Sequence, residues 1–155
     1  MDKEALRRAI IERLEADLAV LVSAANSAKD EATDAESKSE GKYDMRGQTA
    51  AYLAAGQAKL ATELGEAVSA YRLMVLPAGG GAVAMGSVVV LEAQGRRTSY
   101  FIGPARGGLE LDAGGESVTV ITASSPLGRQ LLGRRAGESV ALAGVNRRQV
   151  VAEVG

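Results

Sequence analysis

The run SPLGRQLLGRRAGESVAL, Ser125 to Leu142, decides the architecture of the second half of the chain. Ser125 offers a side-chain oxygen to a helix start, and Pro126 suits the first helical position, where a missing N–H costs nothing. Gly133 falls where that helix must stop, and Ser139 to Leu142 then reads as a strand. The flanking runs are short, β-branched or aromatic: Ser87 to Leu91 (SVVVL), Thr98 to Ile102 (TSYFI), Val118 to Ile121 (VTVI) and Gln149 to Val154 (QVVAEV). Gly-rich turns separate them, which predicts a small antiparallel sheet interrupted by one short helix.

The first half has a different period. Leu6, Ile10, Leu14, Leu18, Leu21 and Ala25 recur every three or four residues and continue as Ala28, Ala32 and Ala35. That spacing predicts an amphipathic helix from about Asp2 to Ala35, roughly 50 Å long. Ser37 to Gly41 breaks the pattern. Tyr52, Leu53, Leu60, Leu64, Ala67, Val68 and Tyr71 mark a second helix from about Asp44. Two long helices joined by a short polar loop read as an antiparallel hairpin, with Leu14, Leu18, Leu21, Leu53, Leu60 and Leu64 expected in its seam. The composition shifts near Tyr71 to Pro77. The expected organisation is therefore α+β: a hairpin over 1–73 and a sheet domain over 74–155.

Composition excludes much chemistry. The chain has no Cys and no His, so disulfides, Cys/His zinc sites, thiol nucleophiles and His-based triads are ruled out. Metal chemistry must use carboxylates, which favour hard ions such as Mg²⁺. Lys and Arg number 18 against 19 Asp and Glu, which removes the usual electrostatic case for duplex binding, and four Tyr with one Phe cannot build a base-stacking platform. The charged start Met1-Asp2-Lys3-Glu4 and the lack of a long apolar span suggest no leader and no membrane segment, hence a cytoplasmic protein. Gly79-Gly80-Gly81 has no following Gly-Lys-Ser/Thr and reads as a flexible interdomain connection. Ser124 and Ser125 lack a base partner, so capping outweighs nucleophilic chemistry.

Charge is unevenly placed. Between Asp30 and Asp44 lie six acids, Asp30, Glu31, Asp34, Glu36, Glu40 and Asp44, against Lys38 and Lys42, a local balance of four negative. These residues sit at the hairpin tip, either as a solvated loop or as oxygen donors for a cation or a basic surface. The globular half carries Arg96-Arg97, Arg134-Arg135 and Arg147-Arg148, with Arg106 and Arg129. They serve either solubility or the docking of an acidic partner, for which arginine forks are suited.

The Ser125 to Leu142 run closely resembles the C-terminal signature of the bacterial Gre transcript-cleavage factors, the GreA/GreB-like family. The shared features are an SPLG-type helix start, an LLG followed by basic residues, and a Gly-Glu turn into the last strands. The order of parts agrees over nearly the whole chain. The resemblance implies a coiled-coil hairpin followed by a small domain of FKBP-like fold. It implies a monomeric factor, not an enzyme by itself, that binds RNA polymerase, enters the secondary channel with its hairpin and promotes cleavage of backtracked RNA. Contact with the nascent RNA would be indirect.

In that family an Asp and a Glu three residues apart at the tip help to hold the polymerase's second Mg²⁺. With the tyrosines matched at Tyr43, Glu36 falls on the Asp position, Ser39 on the Glu position, and Glu40 one residue later. The resemblance thus points to Glu36 and Glu40 as metal-facing and to Asp44 as a third tip carboxylate. The Mg²⁺ would be shared with the polymerase and held weakly or not at all by the chain alone. It also points to Ser125, Pro126, Arg134 and Arg135 as partner-binding residues. The altered tip leaves open a regulator that occludes the channel without stimulating cleavage. A prolyl isomerase would need an aromatic pocket, for which Tyr100 and Phe101 are a poor supply, and a holdase would need exposed helical seams.

Overall fold

The computed structural model describes the backbone of residues 1–38, 45–141 and 148–155, and their side chains except at residues 25, 28, 29, 31–38 and 45–54. The two predicted helices are α1, Lys3–Lys38, and α2, Met45–Leu73. Asp2 caps α1: its Oδ1 accepts from the N–H groups of Glu4 at 2.9 Å and Ala5 at 3.0 Å, donors without a carbonyl partner in a first turn. The bond from Ala5 is the main reason that its carboxyl is held below the ordinary aspartate range. Among the described residues no helix is long and apolar enough to cross a membrane.

Six strands and one short helix follow: β1 Val88–Ala93, β2 Arg96–Gly103, β3 Glu110–Ala113, β4 Glu116–Thr122, α3 Pro126–Leu131, β5 Ser139–Ala141 and β6 Arg148–Val154. They form one sheet in the order β3-β4-β2-β1-β6-β5. The expected antiparallel pairing holds for β1 with β2, β1 with β6, β3 with β4 and β5 with β6. The pair β2 and β4 is parallel, with Ser99 opposite Val118 and Ile102 opposite Ile121, so the sheet is mixed. The cause is β3, a strand not expected from the sequence. It lies outside β4 and returns the chain, so that β4 enters beside β2 in the same direction.

The chain divides into two compact units, Glu12–Val68 and Met1–Ile11 with Ser69–Gly155. In the first, Leu14, Leu64, Ala67 and Val68 are buried, a spacing that keeps them on one helical stripe. Leu18 and Leu21 are half-buried, and the Leu53 side chain lies outside those described. Leu60 departs from its expected place in the seam, being 46% exposed.

In the second unit, alternation along the strands sorts side chains into two buried faces. Val89, Leu91, Ile102, Ile121, Val151 and Val154 share a core with Val83, Val140 and Leu131, and Tyr100 and Leu127 pack against it. Val88, Phe101, Val118 and Val120 point the other way and are also buried. Tyr71, near the end of α2, lies on that second face: a Cβ built on Gly103 would meet Tyr71 Oη at 2.2 Å and Val120 Cγ1 at 2.9 Å. Tyr71 Oη donates to the Ala105 carbonyl at 2.6 Å, and burial raises its pKa, so it stays a donor across the physiological range. Leu6 and Ile10 are the buried apolar side chains of the first turns of α1. Those turns also grip the connector after α2: Lys3 Nζ donates to the Pro77 carbonyl, and Arg7 Nη1 to that of Met74 at 3.0 Å.

Gly79-Gly80-Gly81 is not a connection between the units, since it lies inside the second. Gly79 and Gly80 have φ of 96° and 72°, and the Gly80 N–H donates to the Val154 carbonyl at 2.8 Å. The glycines are needed for a turn fitted against the last strand.

Replacing Tyr71 by Phe should lower the unfolding free energy by about 1–2 kcal/mol, because it leaves the Ala105 carbonyl without its donor. Gly103→Ala should cost more, since its methyl would collide with the phenol. Urea unfolding of the full chain measures both, and equal effects would refute this packing. For Asp2→Ala, the wild type's advantage in melting temperature should be full at neutral pH and vanish as pH falls through the lowered carboxyl pKa.

Candidate docking face

The start of α3 is built as its sequence requires. Ser125 is extended at the cap, with φ −66° and ψ 154°, and its Oγ accepts from the Gly128 N–H at 3.0 Å. The same hydroxyl donates to the Thr122 carbonyl at 2.7 Å, and the Ser125 N–H donates to that carbonyl at 3.1 Å. Pro126 takes the first helical position and is exposed. With its proton used inside the chain, Ser125 positions the helix start, and the ring of Pro126 is what faces outward.

Gly128 has a role that its sequence position does not announce. A Cβ there would lie 1.9 Å from the Thr122 carbonyl oxygen and 2.9 Å from Ser125 Oγ. No left-handed φ is involved, so the need is for space: α3 lies directly on the end of β4. Leu127 packs against the core and Leu131 is inside it, so α3 is held by its cap, its glycine and two leucines.

The arginine pair follows at once. Gly133, at φ 82°, ends the helix, and its N–H donates to the Val83 carbonyl at 2.8 Å. The Val83 N–H returns a bond of 2.8 Å to the Arg134 carbonyl, which fixes the backbone of this segment. Arg134 Nε donates to the Gln130 carbonyl at 3.2 Å, a favourable use of a cation at a helix C-terminus. The Arg135 N–H donates to Glu138 Oε2 at 2.6 Å, and the Glu138 N–H to the Arg135 carbonyl at 3.1 Å, so Glu138 folds back to close the turn. Both arginine side chains are exposed, next to the partly exposed Leu132. Among the described residues neither is paired with a carboxylate. Pro126, Leu132, Arg134 and Arg135 therefore offer apolar area and two cations from backbone held in place.

The other basic pair described in full is different. Arg97 is bound to Glu153 of β6, and this bond, with the charges of Glu153, Glu92 and Glu116, raises its pKa. That partner is 56 residues away and could not be read locally. Tyr100 and Phe101 point to opposite faces of the sheet, so they do not converge on one pocket.

At the tip, Glu36 belongs to α1, but its side chain, and all of Glu40 and Asp44, lie outside the described residues. Among the described residues no three acidic side chains are grouped so as to hold a metal ion.

Residues 78–154 match the family described as transcription elongation factor, GreA/GreB, C-terminal domain. Several solved structures are also similar to the chain. GreA factor homolog 1 (Gfh1) of Thermus thermophilus is 26% identical, with 94% of each chain covered and a TM-score of 0.39. Gfh1 of Thermus aquaticus is 23% identical, with 92% of each covered and a TM-score of 0.38. A GreA/GreB factor of Nitrosomonas europaea is 22% identical over 64% of this chain and 78% of its own, with a TM-score of 0.32. No curated protein matches the chain.

Gly128→Ala should destabilise the sheet unit by about 1–3 kcal/mol, as the added methyl must push α3 off β4. Ser125→Ala should cost about 1 kcal/mol through loss of the cap. If urea unfolding showed Gly128→Ala to be the milder of the two, the close approach to Thr122 would be wrong.

Proposed function

From the membership of residues 78–154 in the GreA/GreB transcription elongation factor family, we propose that this chain is a factor that binds RNA polymerase and enters its secondary channel with the α1–α2 pair. The family match is the observation that carries this reading. The face made by Pro126, Leu132, Arg134 and Arg135 docks against an acidic part of the polymerase. Its exposed cations, on a backbone pinned to Val83 and closed by Glu138, support that assignment. The factor acts as a monomer in the cytoplasm, on the polymerase's own active site, and touches the nascent RNA only through it.

At the tip, Glu36, Glu40 and Asp44 supply carboxylate oxygens, a donor set suited to Mg²⁺ and to no softer metal. When bound between these residues and the polymerase, Mg²⁺ would supply Lewis acidity for hydrolysis of backtracked RNA. The contribution of this chain is to bring the carboxylates there, while docking belongs to the sheet unit. A second reading is favoured by one sequence observation: Ser39 stands where the family carries its tip Glu. On that reading the chain occupies the channel and modulates the polymerase without stimulating cleavage.

Pull-down with core RNA polymerase and cleavage assays on backtracked complexes test both. Charge reversal at Arg134 and Arg135 together should weaken binding roughly tenfold and flatten its salt dependence. Glu36→Ala or Glu40→Ala should abolish stimulated cleavage and leave binding intact. Binding without stimulation by the wild type at any Mg²⁺ concentration selects the occluding regulator. Absence of polymerase binding removes both readings.

A further inference from the structure

Leu73 and Val75, where α2 gives way to the connector, are 83% and 85% exposed, the highest values of any large apolar side chain among the described residues. The backbone that carries them is held in place. The Met74 carbonyl between them accepts from Arg7 Nη1 at 3.0 Å, the Met74 N–H donates to the Ala70 carbonyl at 3.1 Å, and the Pro77 carbonyl accepts from Lys3 Nζ. Met74 and Leu76 are half-buried, so alternation along the extended connector leaves Val75 in water. Single exposed apolar side chains are ordinary, whereas a fixed group of them marks a surface that something covers.

The group extends toward α3. A Cβ built on Gly86 would meet Pro77 Cδ at 2.9 Å, the Val75 carbonyl oxygen at 3.1 Å and Leu76 Cδ2 at 3.3 Å, so the connector lies directly on the backbone beside the exposed Met85. Two residues before Met85, Val83 donates its N–H to the Arg134 carbonyl and accepts from the Gly133 N–H, each at 2.8 Å. Leu132 adjoins that exchange and is partly exposed. Leu73, Val75, Met85 and Leu132 thus belong to one unit and lead along one end of the sheet to Arg134 and Arg135.

We propose that this apolar strip is a second part of the polymerase contact, covered by an apolar ridge that continues from the acidic patch met by Arg134 and Arg135. The inference rests on the polymerase binding proposed above. Charge selects this occupant over a second copy of the chain: in a two-fold dimer the same surface faces itself, which would bring the arginine pair toward its own copy, whereas an acidic partner neutralises it. Because the backbone under the strip is already fixed, little ordering entropy opposes its burial. The two parts divide the work. The arginines steer the encounter and are screened by salt, while the strip holds the complex by a hydrophobic contact that salt does not weaken.

The test is binding of the full chain to core RNA polymerase, measured at several salt concentrations. Leu73→Ser with Val75→Ser should weaken binding roughly tenfold and leave its salt dependence as in the wild type, unlike charge reversal at the arginines. Leu73→Met with Val75→Ile keeps the apolar area and should bind as the wild type does. Val150→Ser, at the opposite end of the sheet and 41% exposed, should change nothing. The urea midpoint of the serine variant should equal that of the wild type, since both side chains are already in water, and a lowered midpoint would refute their exposure and the proposal with it. Unaltered affinity of the serine variant beside normal wild-type binding overturns this inference alone, while absence of wild-type binding overturns the function on which it rests. Concentration-dependent dimerisation of the wild type in sedimentation, lost in the serine variant, would assign the strip to a second copy and overturn the proposal.

Discussion

One phenol ties the sheet to the last turn of α2. Tyr71 is fully buried near the end of α2, fills the space that Gly103 leaves empty, and closes a hydrogen bond with the Ala105 carbonyl. The contact needs all three parts: a ring long enough to cross the face, a residue without a Cβ beneath it, and an acceptor at its tip. With it in place, the second face of the sheet has a helical cover, and Phe101, Val118 and Val120 are removed from water. Burying such side chains contributes about 1.5–3 kcal/mol each, which makes this face comparable to the core on the α3 side.

The architecture was legible to the extent that it is periodic. Leucine spacing announced both long helices, and β-branched runs announced five of the six strands. The missed strand, Glu110–Ala113, has two acids and an alanine among its four residues, and exists because it pairs with β4. The parallel pairing of β2 with β4 has no local signature, because parallel and antiparallel neighbours share the same two-residue alternation. Leu60 was misplaced because periodicity gives a face and not how well each residue on that face is covered. The triple glycine looked like a loose connector because its partner, Val154, is at the far end of the sequence.

For the docking face, the cap at Ser125 and the stop at Gly133 are local and could be read directly. Gly128 could not be explained so, since its constraint comes from the Thr122 carbonyl at the end of a strand, brought close by packing. The pinning of Arg134 by Val83 and the pairing of Arg97 with Glu153 depend likewise on the topology of the sheet. Glu40, Asp44 and the Glu36 side chain lie outside the described residues, so their reading rests on sequence.

The grip of α1 on the connector has a consequence for synthesis. Lys3 and Arg7 reach carbonyls 74 and 67 residues further along, at Pro77 and Met74. The first turns of α1 leave the ribosome well before those carbonyls exist, and at about 5–20 residues per second the wait is several seconds. During that interval the apolar residues Leu6 and Ile10 have no sheet to meet. The unit made of Met1–Ile11 and Ser69–Gly155 cannot close until β6 has emerged, so its folding is of high contact order, whereas Glu12–Val68 can pair earlier from contacts already released.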